Sequence, residues 1–229
     1  MEEIKKVRSI SIWIFIIPFT AINVCLILIT QFHDLFPNSA HVLTNTIPYI
    51  DGRASISRTA RVFPTYLIFK PAMFLTAYLL IKYWLNNRTI MKNFDGNEKY
   101  IKKFIFFGIG SAILLVLHSI FLGIKFDIQI YKLFRRVVLL LFIIFEIIAQ
   151  GILVYNFFKL KEKIKNLFNY KILKCKILLV STLSVIGLLS IPLLVTKGNT
   201  HIKHALEWNF FLGVILFYLL TRFLWRRTT

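Results

Sequence analysis

Apolar residues in this chain are concentrated in six stretches of 19 to 22 residues, which are separated by polar and largely basic segments. A helix needs about 20 consecutive apolar residues to cross the hydrocarbon core of a bilayer. The stretches cover residues 10–31, 63–84, 104–124, 137–158, 177–195 and 205–225. We therefore predict an all-α, polytopic membrane protein in which residues 1–229 form a single integral membrane domain of six transmembrane helices.

The connections between these stretches differ in length. Residues 32–62 form the one long polar connection, between the first and second predicted helices, and the other connections are short. Short connections place consecutive helices side by side and antiparallel. The pattern thus predicts a six-helix bundle with one long outer loop between helices 1 and 2.

The basic charge of the chain indicates how this bundle is oriented. The net charge is +19, at a mean hydropathy of +0.70. Because the cations flank apolar stretches, we expect membrane lipids rather than nucleic acid as partners. Nineteen lysines and arginines lie on the side of the two termini and nine on the opposite side. This bias predicts cytoplasmic termini, in the inner (plasma) membrane of a bacterium or an endomembrane of a eukaryote.

Four ionisable side chains interrupt the apolar stretches. Charge in hydrocarbon is expensive, so such residues usually face the interior of a bundle or a wet cavity. The rise of a helix places three of them at similar depths, roughly 9–13 Å below the outer edge, with the fourth near the outer mouth. The four residues are Lys70, His118, Glu146 and Glu207. We expect a polar cavity that faces the outer leaflet and an almost uniformly apolar inner half.

Their roles remain open at this stage. The candidate catalytic residues are His118, Glu146 and Glu207, and Lys70 is a candidate for substrate binding. We predict that Lys70 lies within ion-pair reach of Glu146 or Glu207. In the alternative interpretation, this pair only holds the bundle together, and His118 is a packing residue. The arginines of the outer loop, Arg53 among them, are suited to a lipid phosphate.

Motifs for other chemistry are absent from the sequence. There is no phosphate-binding loop, GxSxG elbow, HExxH or CxxC pattern, which argues against an ATP-driven enzyme or a zinc protease. His33, Asp34 and His41 match no standard metal-ligand spacing. We therefore expect neither a metal site nor a cofactor. No serine or cysteine nucleophile is marked by a motif, so whether the protein is an enzyme stays undecided.

Two stretches resemble a known family. Residues 46–85 contain Pro-Tyr-Ile at 48–50, and residues 204–225 contain Glu-Trp at 207–208 and a Tyr-Leu-Leu-Thr run at 218–221. Their order resembles the six-helix family of damage-regulated autophagy modulators (DRAM), Frag-type and Sfk-type proteins, which includes GPI-anchor lipid remodelling proteins. His118 falls where members of that family tend to carry a histidine. Asp-Gly-Arg at 51–53 departs from the Ser-Asp-Thr-Gly that the family has after Pro-Tyr-Ile.

The resemblance implies lipid-related work, with Tyr49 and Trp208 added to the candidate binding residues. We therefore expect binding, sensing or remodelling of lipids or lipid anchors. One alternative is a small proton-coupled transporter that uses Glu146 and His118, and another is a non-catalytic scaffold that binds other membrane proteins. A single cavity with a lateral opening would favour lipid, a continuous polar path would favour transport, and closed ion pairs would favour the scaffold.

Overall fold

The computed structural model describes residues 2–94, 96–124, 129–196 and 198–226, with all of their side chains except those of Ser39, Gln129 and Lys132. Six long helices account for most of this part of the chain. They are α1 (Glu2–Gln31), α4 (Tyr66–Asn93), α5 (Glu98–Phe121), α6 (Gln129–Lys159), α7 (Tyr170–Val195) and α8 (Thr200–Leu224). Two short helices, α2 (Pro48–Asp51) and α3 (Ile56–Ala60), lie in the connection from α1 to α4.

The six long helices are long and apolar enough to cross a membrane. Each contains 24 to 31 residues, against the about 20 that a bilayer core requires. The predicted number of spans and the all-α class are confirmed for the described residues. Each helix extends beyond its predicted apolar stretch at one end or both, because helical hydrogen bonding continues into the polar flanks, whereas α4 begins three residues later and α5 ends three residues earlier than predicted. The chain therefore has the features of a multi-pass membrane protein.

Consecutive long helices pack as antiparallel neighbours, and α8 returns to α1. The result is a ring in the order α1, α4, α5, α6, α7, α8. The ring has two ends. The "loop end" carries residues 32–65, and the "termini end" carries the starts of α1, α5 and α7.

At the loop end, the connection from α1 to α4 folds onto the start of α8. Gly52 lies at the contact, with a φ of 58°. A β-carbon there would lie 1.7 Å from the backbone oxygen of His201, so only glycine fits this position. The Nδ1 atom of His204 lies 3.0 Å from the Gly52 oxygen. The loop is therefore fixed to the bundle rather than free above it.

At the termini end, aromatic residues close the bundle. Trp225 packs edge-on against Phe157 and Phe168, with ring centroids 5.6 Å and 4.3 Å away. The chain reaches α7 through this cluster, and Asn169 caps the helix by accepting a hydrogen bond from the Lys171 amide. Since α7 begins at Tyr170, its first lysines lie within the helix and not in a loop.

The two halves of α7 are packed differently. Its first half buries Leu173, Lys176 and Val180 in the bundle. In its second half, Leu188 and Leu189 are 67% and 75% exposed. The half of α7 near the loop end therefore exposes more of its apolar surface than the first half does, although Leu183 and Ser190 are buried there.

Candidate functional site: a cavity towards the loop end

An apolar cavity extends from the loop end to the middle of the bundle. Its volume is about 70 Å³. Fourteen of its 19 lining residues are apolar, and they come from α1, α3, α4, α5, α6 and α8 but not from α7. The polar lining residues are Thr76, His118, Glu146, Glu207 and Tyr218. Such a cavity, with few polar groups in apolar walls, is typical of sites for hydrophobic ligands.

The entrance lies between α6 and α8. The lining residues contributed by α1, α3, α4 and α5 are buried. The partly exposed ones are Leu139, Phe142 and Ile143 of α6, and Glu207 and Phe211 of α8. In the ring, α7 lies between these two helices, and it contributes no lining residue. The partial exposure of these side chains indicates that the cavity opens laterally between α6 and α8, beside α7.

Glu146 lies at the inner end of this cavity and is fully satisfied. Its Oε2 atom accepts a hydrogen bond from the Ser111 hydroxyl at 2.5 Å. Its Oε1 atom accepts one from Gln150 at 3.0 Å and another from the Tyr218 hydroxyl. Gln150 also donates to the Val214 carbonyl at 3.2 Å. A buried carboxyl group with three donors is held rigidly, so Glu146 is primarily a structural part of the cavity wall.

His118 differs from Glu146 in having no partner. Its side chain is buried on α5, and the buried Nδ1 atom has no hydrogen bond to any described residue. A buried polar atom without a partner costs free energy. The ring lines the cavity. His118 is thus available to a polar group of a ligand there.

Glu207 lies on the loop-end side of the cavity, at the entrance. Its carboxylate is directed to the backbone N–H groups of Ile56 and Ser57, the first two residues of α3. These amides are not used by the short helix itself, so a carboxylate stabilises them. Glu207 therefore joins α8 to the outer loop and lines the same cavity as His118.

Lys70 does not reach the cavity, and its predicted ion pair is wrong. The Nζ atom donates to the Ile120 carbonyl at 3.3 Å, and no ion pair of the described residues includes Lys70. Phe69 and Met73 line the cavity from the same helix. Successive residues are 100° apart around a helix, which turns Lys70 away from the face that Phe69 presents. The ion pair had been predicted only because Lys70 and the glutamates lie in the same half of the predicted helices.

The remaining predicted residues lie beside the cavity. Trp208 is buried and donates to the Ala54 carbonyl at 2.9 Å, and its ring packs edge-on against Tyr49 at 4.7 Å. Burial raises the pKa of Tyr49, whose hydroxyl donates to Asn23 at 3.3 Å. Arg53 is exposed and contacts Asp51, with 4.0 Å between nitrogen and oxygen. Tyr49 and Trp208 thus hold the loop to α8, and Arg53 lies outside the cavity.

The sequence interpretation missed a second polar cluster, near the termini end. Lys176 is fully buried, and its Nζ atom donates to the Thr221 hydroxyl at 2.6 Å and lies 3.6 Å from the Phe217 ring centroid. The Thr221 hydroxyl also lies 3.2 Å from that of Tyr83. The expectation that the half of the bundle near the termini is almost uniformly apolar is therefore wrong. Lys176 had been assigned to the basic connection at 159–176, where neighbouring lysines conceal the start of α7.

No group of three or more His, Cys, Asp or Glu side chains in the described part of the chain could hold a metal ion together. His33, one of the residues considered for metal binding, contacts the Thr30 carbonyl at 2.8 Å. No family model matches the chain, and neither a curated protein nor a solved structure matches it significantly.

Proposed function

We propose that this multi-pass membrane protein binds a lipid in the cavity between α6 and α8, and that binding, sensing or remodelling of lipids or lipid anchors is its function. The observation that carries the proposal is one laterally open, apolar cavity lined by His118, Glu146 and Glu207. An acyl chain matches the walls, and the polar group next to it would meet His118 and Glu207.

We propose further that the loop end faces outward and that both termini are cytoplasmic. The positive-charge bias supports this orientation. It would place the cavity in the outer leaflet, of the inner membrane in a bacterium or of an endomembrane in a eukaryote. A cysteine introduced at residue 45 should react with an impermeant reagent from outside, and one at residue 166 only after permeabilisation. Labelling of both from one side would contradict this topology.

Membership of the six-helix family named above remains part of the proposal. The packing of the two resembling stretches on each other supports it. Besides the contact between Tyr49 and Trp208, the Asn209 side chain donates to the Tyr49 carbonyl at 2.8 Å. Segments about 160 residues apart thus form one assembly beside the cavity.

Proton-coupled transport is the second candidate function. Polar side chains continue from Glu146 towards the termini end through Tyr218, Tyr83, Thr221 and Lys176, and the rings of Tyr218 and Tyr83 are in edge-on contact at 4.9 Å. A pH-sensitive dye enclosed in proteoliposomes would detect proton flux, with Glu146→Gln as the test variant. Flux that requires Glu146 would favour transport, and its absence would leave the lipid proposal ahead.

Native mass spectrometry of the purified protein tests lipid binding. Leu139→Trp places a large ring at the cavity entrance, whereas Leu140→Trp places the same ring on the adjacent residue, which is 46% exposed. We expect wild type and Leu140→Trp to retain lipid and Leu139→Trp to lose most of it. Equal retention by both variants would contradict binding in this cavity.

A further inference from the structure

Three arginines gather at the loop end beside the cavity. Arg58 lies in α3, Arg61 directly follows that helix, and Arg135 lies in α6. Residues four apart on a helix share a face, so Arg135 lies one turn from the lining residue Leu139, on the loop-end side. Ile56, two residues before Arg58, also lines the cavity. The cluster therefore lies next to the entrance.

The charges of this cluster are not compensated within the described part of the chain. None of its ion pairs includes Arg58, Arg61 or Arg135. The buried Nε atom of Arg135 has no hydrogen-bond partner, although its guanidinium lies 5.9 Å from the Tyr131 ring centroid. Partial burial lowers the pKa of Arg61, and the nearby charges of Arg135 and Arg58 lower it further. The three cations repel one another, and no carboxylate of the described residues forms an ion pair with them.

We propose that Arg58, Arg61 and Arg135 bind the anionic head group of the lipid that occupies the cavity. This inference rests on the proposed lipid-binding function and assigns the chemical class of the ligand. It is an amphiphile with a phosphate or a similar anion at one end and an apolar chain at the other. His118, on the cavity side of Arg135, would contact the part of the ligand that joins the anion to the apolar chain.

Arginine suits this role for two reasons. Its guanidinium keeps its charge at any physiological pH, and its planar fork of donors matches two oxygens of a phosphate. The apolar walls below the cluster extend to Glu146, halfway through the bundle. A soluble anion would use the arginines but not these walls. The combination therefore points to a lipid rather than to free phosphate.

A competition experiment tests the head-group class. The purified protein is mixed with equal amounts of phosphatidylglycerol and phosphatidylcholine with identical chains, and native mass spectrometry counts each retained lipid. We expect wild type to prefer phosphatidylglycerol. Arg61→Gln and Arg135→Gln should each lower the preference by about tenfold, as expected for the loss of one charge-assisted hydrogen bond. Because the ratio is measured within one sample, it does not depend on folded yield.

Arg53→Gln is the matched control, because it removes the same charge from the same loop at an exposed arginine outside the cavity. We expect it to leave the preference unchanged. Equal retention of the two lipids by wild type, with both lost in Leu139→Trp, would overturn the anionic head group but leave lipid binding intact. Retention of neither lipid would overturn both proposals.

Inorganic phosphate distinguishes the two sources of the anion. It should raise the Tm of the wild-type protein far less than phosphatidylglycerol does, because it leaves the apolar walls unoccupied. An equal rise with both would contradict a lipid ligand.

Discussion

The loop half and the termini half of this bundle both contain buried polar groups but treat them differently. Towards the termini end, Lys176 and Tyr83 share the Thr221 hydroxyl in a closed interior. In the loop half, the buried His118 has an unpartnered ring nitrogen and faces a cavity. Polar groups that satisfy one another hold helices together. The termini half also has buried atoms without a partner among the described residues, in Trp84, Asn87 and Trp225, but none of these residues lines the cavity. An unsatisfied group beside an open space, as at His118, is available to a ligand. Glu146 lies at the border between the two halves, and its carboxyl group has hydrogen-bond partners.

The largest effect is expected at this border. Glu146→Leu removes the acceptor of Ser111, Gln150 and Tyr218. At roughly 0.6–1.7 kcal/mol for each of the two interhelical hydrogen bonds and roughly 0.5–1.5 kcal/mol for the bond from Gln150 on the same helix, the free energy of unfolding should fall by about 2–5 kcal/mol. Unfolding in mixed micelles measures this loss. Glu146→Gln keeps one acceptor oxygen, so its free energy of unfolding should fall clearly less. Equal falls for the two variants would show that the hydrogen bonds to residue 146 do not stabilise the bundle.

Lys176→Ala should have the next largest effect. It leaves a cavity where three methylene groups were buried and removes the bond to Thr221, at a cost of about 2–4 kcal/mol. Lys176→Met fills the same volume and should recover most of the loss, since a buried charge is itself costly. Lys174→Ala is the control on the exposed face of α7. The assignment to a closed interior fails if Lys174→Ala and Lys176→Ala are equally stable.

A substitution in the loop half should change lipid binding rather than stability. His118→Leu breaks no hydrogen bond among the described residues and keeps an apolar wall, so the Tm should change little. Retention of lipid in native mass spectrometry should fall instead. A large drop in Tm would place His118 with the structural groups and would weaken the contrast between the two halves.

Lys70→Met should have the smallest effect. The lysine makes one partly exposed hydrogen bond to a carbonyl and no ion pair. Loss of such a bond should change the free energy of unfolding by about 1 kcal/mol or less. A loss as large as that of Glu146→Leu would revive the ion pair that the structure contradicts.

The number of membrane spans and the depth of the polar residues could be predicted from the sequence. The side of the helix on which each residue lies could not. Hydrophobic length was sufficient for six spans, and similar depth correctly suggested that His118 and Glu146 lie near one another. Depth says nothing about the 100° between neighbouring residues, so it paired Lys70 wrongly. Lys176 was missed because the lysines around it resemble a loop. Arg135 could not be connected to Arg61, because their proximity depends on how the outer loop folds onto the bundle.

Photolabelling with a lipid that carries a diazirine in the middle of its acyl chain tests the central claim most directly. The account predicts, above a background on exposed faces, enriched labelling of Phe142 and Phe211 inside the entrance, mapped by peptide mass spectrometry and abolished in Leu139→Trp. Labelling confined to outward-facing residues such as Leu188 and Leu189, and unchanged by Leu139→Trp, would contradict it.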